Sequence, residues 1–184
     1  MGQMFLHGQL DKPDFSAALH WLRRAADHND AAAQNQIGVM FRKGQGVPKN
    51  NAEAVKWFRQ AAEQGNPTAQ NNLGWMYQHG YGLKADLTEA VTWYGRAAQQ
   101  GEASAQNNLG WLYQHGQGVA MDLTAAADCY RRAAEQGDAI AQYNLGIMHQ
   151  HGYGMPQNLE QAAHWFRLAT KQGDADAQAQ LENL

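Results

Sequence analysis

Apolar positions along this chain follow two alternating helical rhythms. Between Asp11 and Asn29, residues Ala18, Trp21, Leu22, Ala25 and Ala26 recur at i, i+3, i+4, i+7 and i+8. That spacing places them on one face of a helix. The same face returns every thirty-six residues: Ala54, Trp57, Phe58, Ala61, Ala62, then Ala90, Trp93, Tyr94, Ala97, Ala98. It continues as Ala126, Cys129, Tyr130, Ala133, Ala134 and as Ala162, Trp165, Phe166, Ala169, Thr170. These segments are termed helix B. Between them lies a second segment, helix A, whose stripe is Ala69, Leu73, Met76 and Tyr77. The stretch Ala69 to Gly82, AQNNLGWMYQHGYG, returns as AQNNLGWLYQHGQG from Ala105 to Gly118, with looser copies at Ala33–Gly46 and Ala141–Gly154. A fixed period of this length is the mark of a stacked-repeat architecture.

The punctuation repeats too. Asp14, Asn50, Asp86, Asp122 and Asn158 stand at the helix B N-cap. Glu53, Glu89 and Gln161 follow three residues on, as in a capping box. Gly65, Gly101, Gly137 and Gly173 stop helix B, with Asn29 in the first copy. Helix A takes its caps from Asp30, Asn66, Glu102, Asp138 and Asp174, has Pro67 at a first-turn position, and ends at Gly44, Gly80, Gly116 and Gly152. Gly38, Gly74, Gly110 and Gly146 fall inside helix A, where each costs roughly 1 kcal/mol against Ala. A cost repeated at one column implies a helix crossing too close for a Cβ. Short helix pairs of this kind bury a core only by stacking on their neighbours. The expectation is therefore all-α, without strands or long linkers.

The spacing A-x-A-Q-x-N-L-G-x-x-Y-x-x-G-x-G-V, followed by D/N-x-x-x-A-x-x-W-Y-x-x-A-A-x-x-G, resembles the Sel1-like repeat, a relative of the tetratricopeptide repeat. The resemblance covers essentially all of residues 1–184 as one domain: a truncated first repeat (1–30), repeats at 31–66, 67–102, 103–138 and 139–174, and a partial helix at 175–184. It implies a right-handed superhelical solenoid of antiparallel helix pairs. It also implies an adaptor for other proteins rather than an enzyme, with no cofactor. A cysteine-rich branch of the family is linked to penicillin binding, but it carries a disulfide in each repeat. This chain has one cysteine, Cys129, in a core column.

In the related repeats helix A lines the concave face, so the candidate contact residues are its positions off the apolar stripe. One column is Asn35, Asn71, Asn107 and Tyr143; another contains Trp75 and Trp111. Beside them stand Gln78, Gln114 and Gln150, and His79, His115 and His151, aligned with Arg42 and Lys43 of the earlier copy. Amide side chains offer both donor and acceptor to a peptide backbone, and tryptophans dominate interface hot spots. The alternative for the Asn71 and Asn107 column is a structural role. Asn72, Asn108 and Asn144 are read as bonding the adjacent loop. The helix B column Trp21, Trp57, Trp93 and Trp165 is read as core.

Composition narrows this further. With 184 residues and a net charge of -3, the chain lacks the basic stripe that nucleic acid requires. The expected partner is a protein or peptide. The His79, His115 and His151 column cannot share a zinc ion, whose donors must lie about 2.0–2.1 Å away. No apolar run reaches the ~18 residues that span a bilayer. Without a leader the chain is expected in the cytoplasm, or in the periplasm or outside the cell if sequence precedes it. Half-helices at Met1–Phe5 and Asp176–Leu184 suggest a second possibility, a homodimer paired through exposed repeat ends.

Overall fold

The structure, a computed structural model, describes residues 14–184. The truncated helix A at Met1–Phe5 and the irregular loop around Gly8 and Leu10 lie outside the described residues. Among the described residues ten helices follow one another: α1 (Phe15–Ala26), α2 (Ala31–Lys43), α3 (Asn51–Glu63), α4 (Pro67–His79), α5 (Leu87–Gln99), α6 (Ala103–His115), α7 (Leu123–Glu135), α8 (Ala139–His151), α9 (Leu159–Lys171) and α10 (Ala175–Glu182). The described residues include no strand. Odd-numbered helices are helix B, even-numbered ones helix A. The chain divides into two compact units, Met1–Trp93 and Tyr94–Leu184, with the boundary inside α5.

Local chemistry sets the helix ends. The side chains of Asp14, Asn50, Asp122 and Asn158 each accept from the backbone N–H three residues on, at 2.9–3.0 Å. Asp86 accepts from both Thr88 and Glu89. Asp30, Asn66, Asp138 and Asp174 cap helix A in the same way at 2.8–2.9 Å. Glu102 is the exception and makes no cap hydrogen bond, because one extra methylene carries its carboxylate past the first-turn amides. Glu102→Asp is therefore expected to raise stability by about 1 kcal/mol, read as a higher urea midpoint at unchanged slope.

The capping boxes form only in half. The backbone N–H groups of Asn50, Asp86 and Asn158 donate to the carbonyls of Phe41, Tyr77 and His149, on the helix A just completed. With those amides already satisfied, Glu53 pairs with Lys56 and Glu89 accepts from Trp93 Nε1 instead. At the other end, Gly65, Gly101, Gly137 and Gly173 adopt φ between 89° and 92°, and Asn29 sits at φ 60°.

The core differs from the sequence expectation in one column. Trp93 is buried at 6 % exposure, whereas Trp21, Trp57 and Trp165 are only half-buried. The fully buried aromatics are their neighbours Phe58, Tyr94, Tyr130 and Phe166. These smaller rings turn inward, and the bulkier indoles cover them. The internal glycines explain why the smaller rings fit. A Cβ on Gly38 would stand 2.6 Å from the Phe58 ring, one on Gly110 2.9 Å from Tyr130, and one on Gly146 2.5 Å from Phe166. The expected close crossing is thus an aromatic ring laid on bare helix backbone.

Within each unit, buried glutamines join one repeat to the next. In the second unit, Gln106 Nε2 donates to the Ala98 carbonyl and Gln142 Nε2 to that of Ala134, tying helix A to the end of the preceding repeat's helix B. Within each repeat, Gln136 Nε2 donates to Gln106 Oε1 at 2.8 Å and Gln172 Nε2 to Gln142 Oε1 at 2.9 Å, holding the end of helix B to the helix A before it. The first unit repeats the pattern: Gln70 to the Ala62 carbonyl, and Gln64 to Gln34. At the C-terminal end Ala177 is fully buried, and Leu181 packs with Ala162, Phe166 and Ala169.

Candidate functional site

The asparagine column takes two fates. Asn35 and Asn107 are buried at 9 % exposure each. Asn35 Oδ1 accepts from Asn72 Nδ2 at 2.9 Å, and Asn107 Oδ1 from Asn144 Nδ2 at 3.0 Å. These bonds clamp one helix A to the next, so Asn35 and Asn107 hold the stack. The loop bonds expected of Asn72 and Asn144 give way to this clamp, because the helix A of the preceding repeat offers a buried acceptor. Asn71 is half-buried. Tyr143 lies against Phe166, with ring centroids 5.9 Å apart, and belongs largely to the core edge.

The tryptophans behave differently. Trp75 and Trp111 are half-buried on α4 and α6. One turn along, His79 and His115 fold back on them, at centroid distances of 4.5 and 4.3 Å. The ring Nδ1 of each histidine stands 3.0 or 2.8 Å from the carbonyl of its tryptophan, which fixes the ring's orientation. In the first unit Tyr81 completes the stack, 5.0 Å from Trp75 and parallel to His79 within 3°. His151 and Tyr153 make a corresponding pair in the second unit, at 5.2 Å. Tyr81 and Tyr153 are both exposed. Both lie in the turn that follows helix A. Their signal was a large aromatic between two glycines, where nothing in the repeat's core requires one.

The glutamines are partly committed. Gln114 Oε1 accepts from the Tyr130 hydroxyl at 2.7 Å. The Gln150 backbone carbonyl accepts from Gln157 Nε2 at 2.8 Å, while its side-chain Oε1 is buried without a partner among the described residues. Gln78 is half-buried beside His79. Two groups nearby have displaced proton affinities. Burial pushes the Cys129 thiol up to about 11, the Arg132 charge opposing and Asp128 adding to the rise. Burial also lowers His149, helped by the charge of Arg131. A thiol so displaced is almost wholly protonated near neutral pH, a poor nucleophile.

In the first unit the aromatic stack forms one wall of a cleft of about 420 Å³. Arg42, Lys43, Lys49, Asn51, Trp75 and Tyr81 line it. The Arg42 guanidinium lies 5.2 Å from the Trp75 ring centroid. Among the described residues no group of three or more His, Cys, Asp or Glu could hold a metal ion, and no helix is long and apolar enough to cross a membrane.

Antiparallel helix pairs repeating at one period, joined by buried amides and carrying half-open aromatics on one helix of each pair, define an α-solenoid of repeats. The Sel1 repeat family model matches residues 1–30, 31–66, 67–102, 103–138 and 139–174. The chain belongs to the Sel1 repeat family, whose members generally act as protein-interaction modules. No curated protein matched it. Among solved structures it is similar to a Sel1 repeat protein from Oxalobacter formigenes, at 39% identity and a TM-score of 0.89, over 96% of this chain and 72% of that one. It is equally similar in fold to a protective antigen of uropathogenic Escherichia coli strains, at 37% identity and a TM-score of 0.89 over 98% of this chain. The present chain spans 38% of that antigen's length. A likeness to the cysteine-rich protein B of Helicobacter pylori, at 23% identity and a TM-score of 0.57 over 71% of this chain and 94% of that one, is one of fold.

Proposed function

We propose that this chain is a non-enzymatic interaction scaffold that binds an extended peptide or protein segment on its helix A surface. One observation carries the reading: Trp75 and Trp111 occupy equivalent repeat positions, stay half-open, and are each stacked against the histidine one turn on. Large, semi-rigid rings already fixed in place lose little freedom on binding. Asn71 and Gln78 flank Trp75 on the same helix, and Gln114 and His115 follow Trp111. Asn35 and Asn107 drop out of the contact set because their amides are used between repeats.

Trp75→Ala with Trp111→Ala tests this. A crosslinking pull-down from native cells is expected to lose partner bands with the double variant while its far-ultraviolet circular dichroism matches the wild type. Each ring removed should cost about 2 kcal/mol of binding if it acts as a hot spot. Undiminished capture by a double variant of native helicity would sink the proposal.

A further inference from the structure

We infer that the cleft of the first unit selects an acidic side chain of the bound segment, an inference that rests on the peptide-binding reading above. Three cations, Arg42, Lys43 and Lys49, line this one cleft, and among the described residues no acidic one does. The chain as a whole has more acidic than basic residues, 17 against 14, so the concentration is local. The ion pairs Lys56–Glu53 and Arg131–Asp128 use no cleft cation. Arg42 Nε is buried and has no hydrogen-bond partner among the described residues. A buried charged donor without an acceptor is costly. A carboxylate entering the cleft would pair with the Arg42 guanidinium through a charge-assisted bond.

The surroundings favour the same ligand. The guanidinium is held over Trp75, so its orientation is set before any ligand arrives. Asn51 is the first residue of α3, so the positive end of that helix opens on the cleft. The three cations are peculiar to this repeat. At the equivalent positions the next repeat has Gln78, His79 and Ala85, the one after it Gln114, His115 and Met121, and the last Gln150, His151 and Gln157. A polynucleotide fits less well. Three charges neutralise few phosphates, and the Trp75 ring a base would stack on is engaged by Arg42, His79 and Tyr81.

The test is selection of peptides from a random-peptide phage library by the full chain, followed by polarisation titration of a labelled acid-rich peptide, its amide analogue with Gln and Asn for Glu and Asp, and oligothymidylate. The variant is Arg42→Gln, Lys43→His, Lys49→Ala, which gives this repeat the residues of the next and so keeps the fold. Wild type is expected to enrich Asp and Glu, and the variant to lose that enrichment. Affinity for the acid-rich probe should fall about tenfold or more, with the amide analogue unchanged, and should weaken as salt rises. Peptides selected without acid enrichment, lost on Trp75→Ala but not on the triple substitution, would overturn this inference and leave the scaffold reading standing. No selected peptide at all would overturn both. Oligothymidylate bound more tightly than the acid-rich peptide would show a surface for nucleic acid instead, and the inference would fall.

Discussion

Alanine at Gly154 is expected to cost the second unit about 3 kcal/mol or more, against about 1 kcal/mol for alanine at Gly137. Both glycines have positive φ, 67° and 92°, so both substitutions carry the left-handed penalty of an L side chain. They differ in what the new methyl group meets. At Gly137 nothing stands within 4 Å of the added Cβ. At Gly154 the Cβ would lie 2.2 Å from the Leu123 carbonyl oxygen and 2.7 Å from the Thr124 amide nitrogen. Those atoms belong to the first turn of α7, and backbone in a capped helix cannot step aside as a side-chain tip can. The loop would have to lift off, breaking the contact between one repeat's turn and the preceding helix B. Urea unfolding of the full chain, followed by tryptophan fluorescence, reads the difference. Equal midpoints for the two variants would show that the close approach contributes nothing beyond its dihedral angle.

Phe58→Ala is expected to cost about 3–5 kcal/mol. The ring is fully buried among Ala54, Ala61, Ala62, Leu73 and Met76, and much of its face lies on Gly38. The small neighbours are helical alanines that cannot swing into the space, so the cavity persists. The same contact makes the two residues interdependent. Gly38→Ala gains about 1 kcal/mol of helix propensity but drives a methyl group to 2.6 Å from the ring, so it destabilises in the native background. With Phe58 already truncated to Leu that clash is relieved, and Gly38→Ala becomes neutral or stabilising. A double-mutant cycle in urea should give a coupling of about 1–3 kcal/mol. A coupling near zero would mean that the glycine column serves something other than the ring.

The repeat period, the helix ends and the glycine turns were legible in the residues because each rests on local chemistry. Every aspartate or asparagine placed at an N-cap does bond there, and the one glutamate, Glu102, does not. Tertiary choices were less legible. Trp57 and Phe58 are adjacent on a helix face, and hydrophobicity alone favours burying the larger. The inward ring is decided by the glycine opposite, which leaves depth for a phenyl ring and not for an indole. The capping boxes failed for a similar reason: the Asn50 amide already had the Phe41 carbonyl, a partner nine residues earlier that no local pattern shows. Of the candidate site, the half-open state of Trp75 and Trp111 followed from Leu73, Met76 and Tyr77 filling the buried stripe. That Asn35 and Asn107 are consumed between repeats was not visible, since their partners Asn72 and Asn144 stand thirty-seven residues away. The basic cleft draws Arg42 and Lys43 from one helix, Lys49 from a loop and Trp75 from the next helix A. Column-by-column reading separates residues that the fold brings together.

The glutamine links between repeats have a direction. The donor is a glutamine amide of the later repeat and the acceptor a backbone carbonyl on the helix B of the earlier one. Cutting the array at any such joint exposes the same pair of half-bonds, and any two cut ends match. Length is therefore a free variable: whole repeats can be spliced in or taken out without redesigning a junction, and a contact surface carried by one repeat can be moved intact to another place in the row.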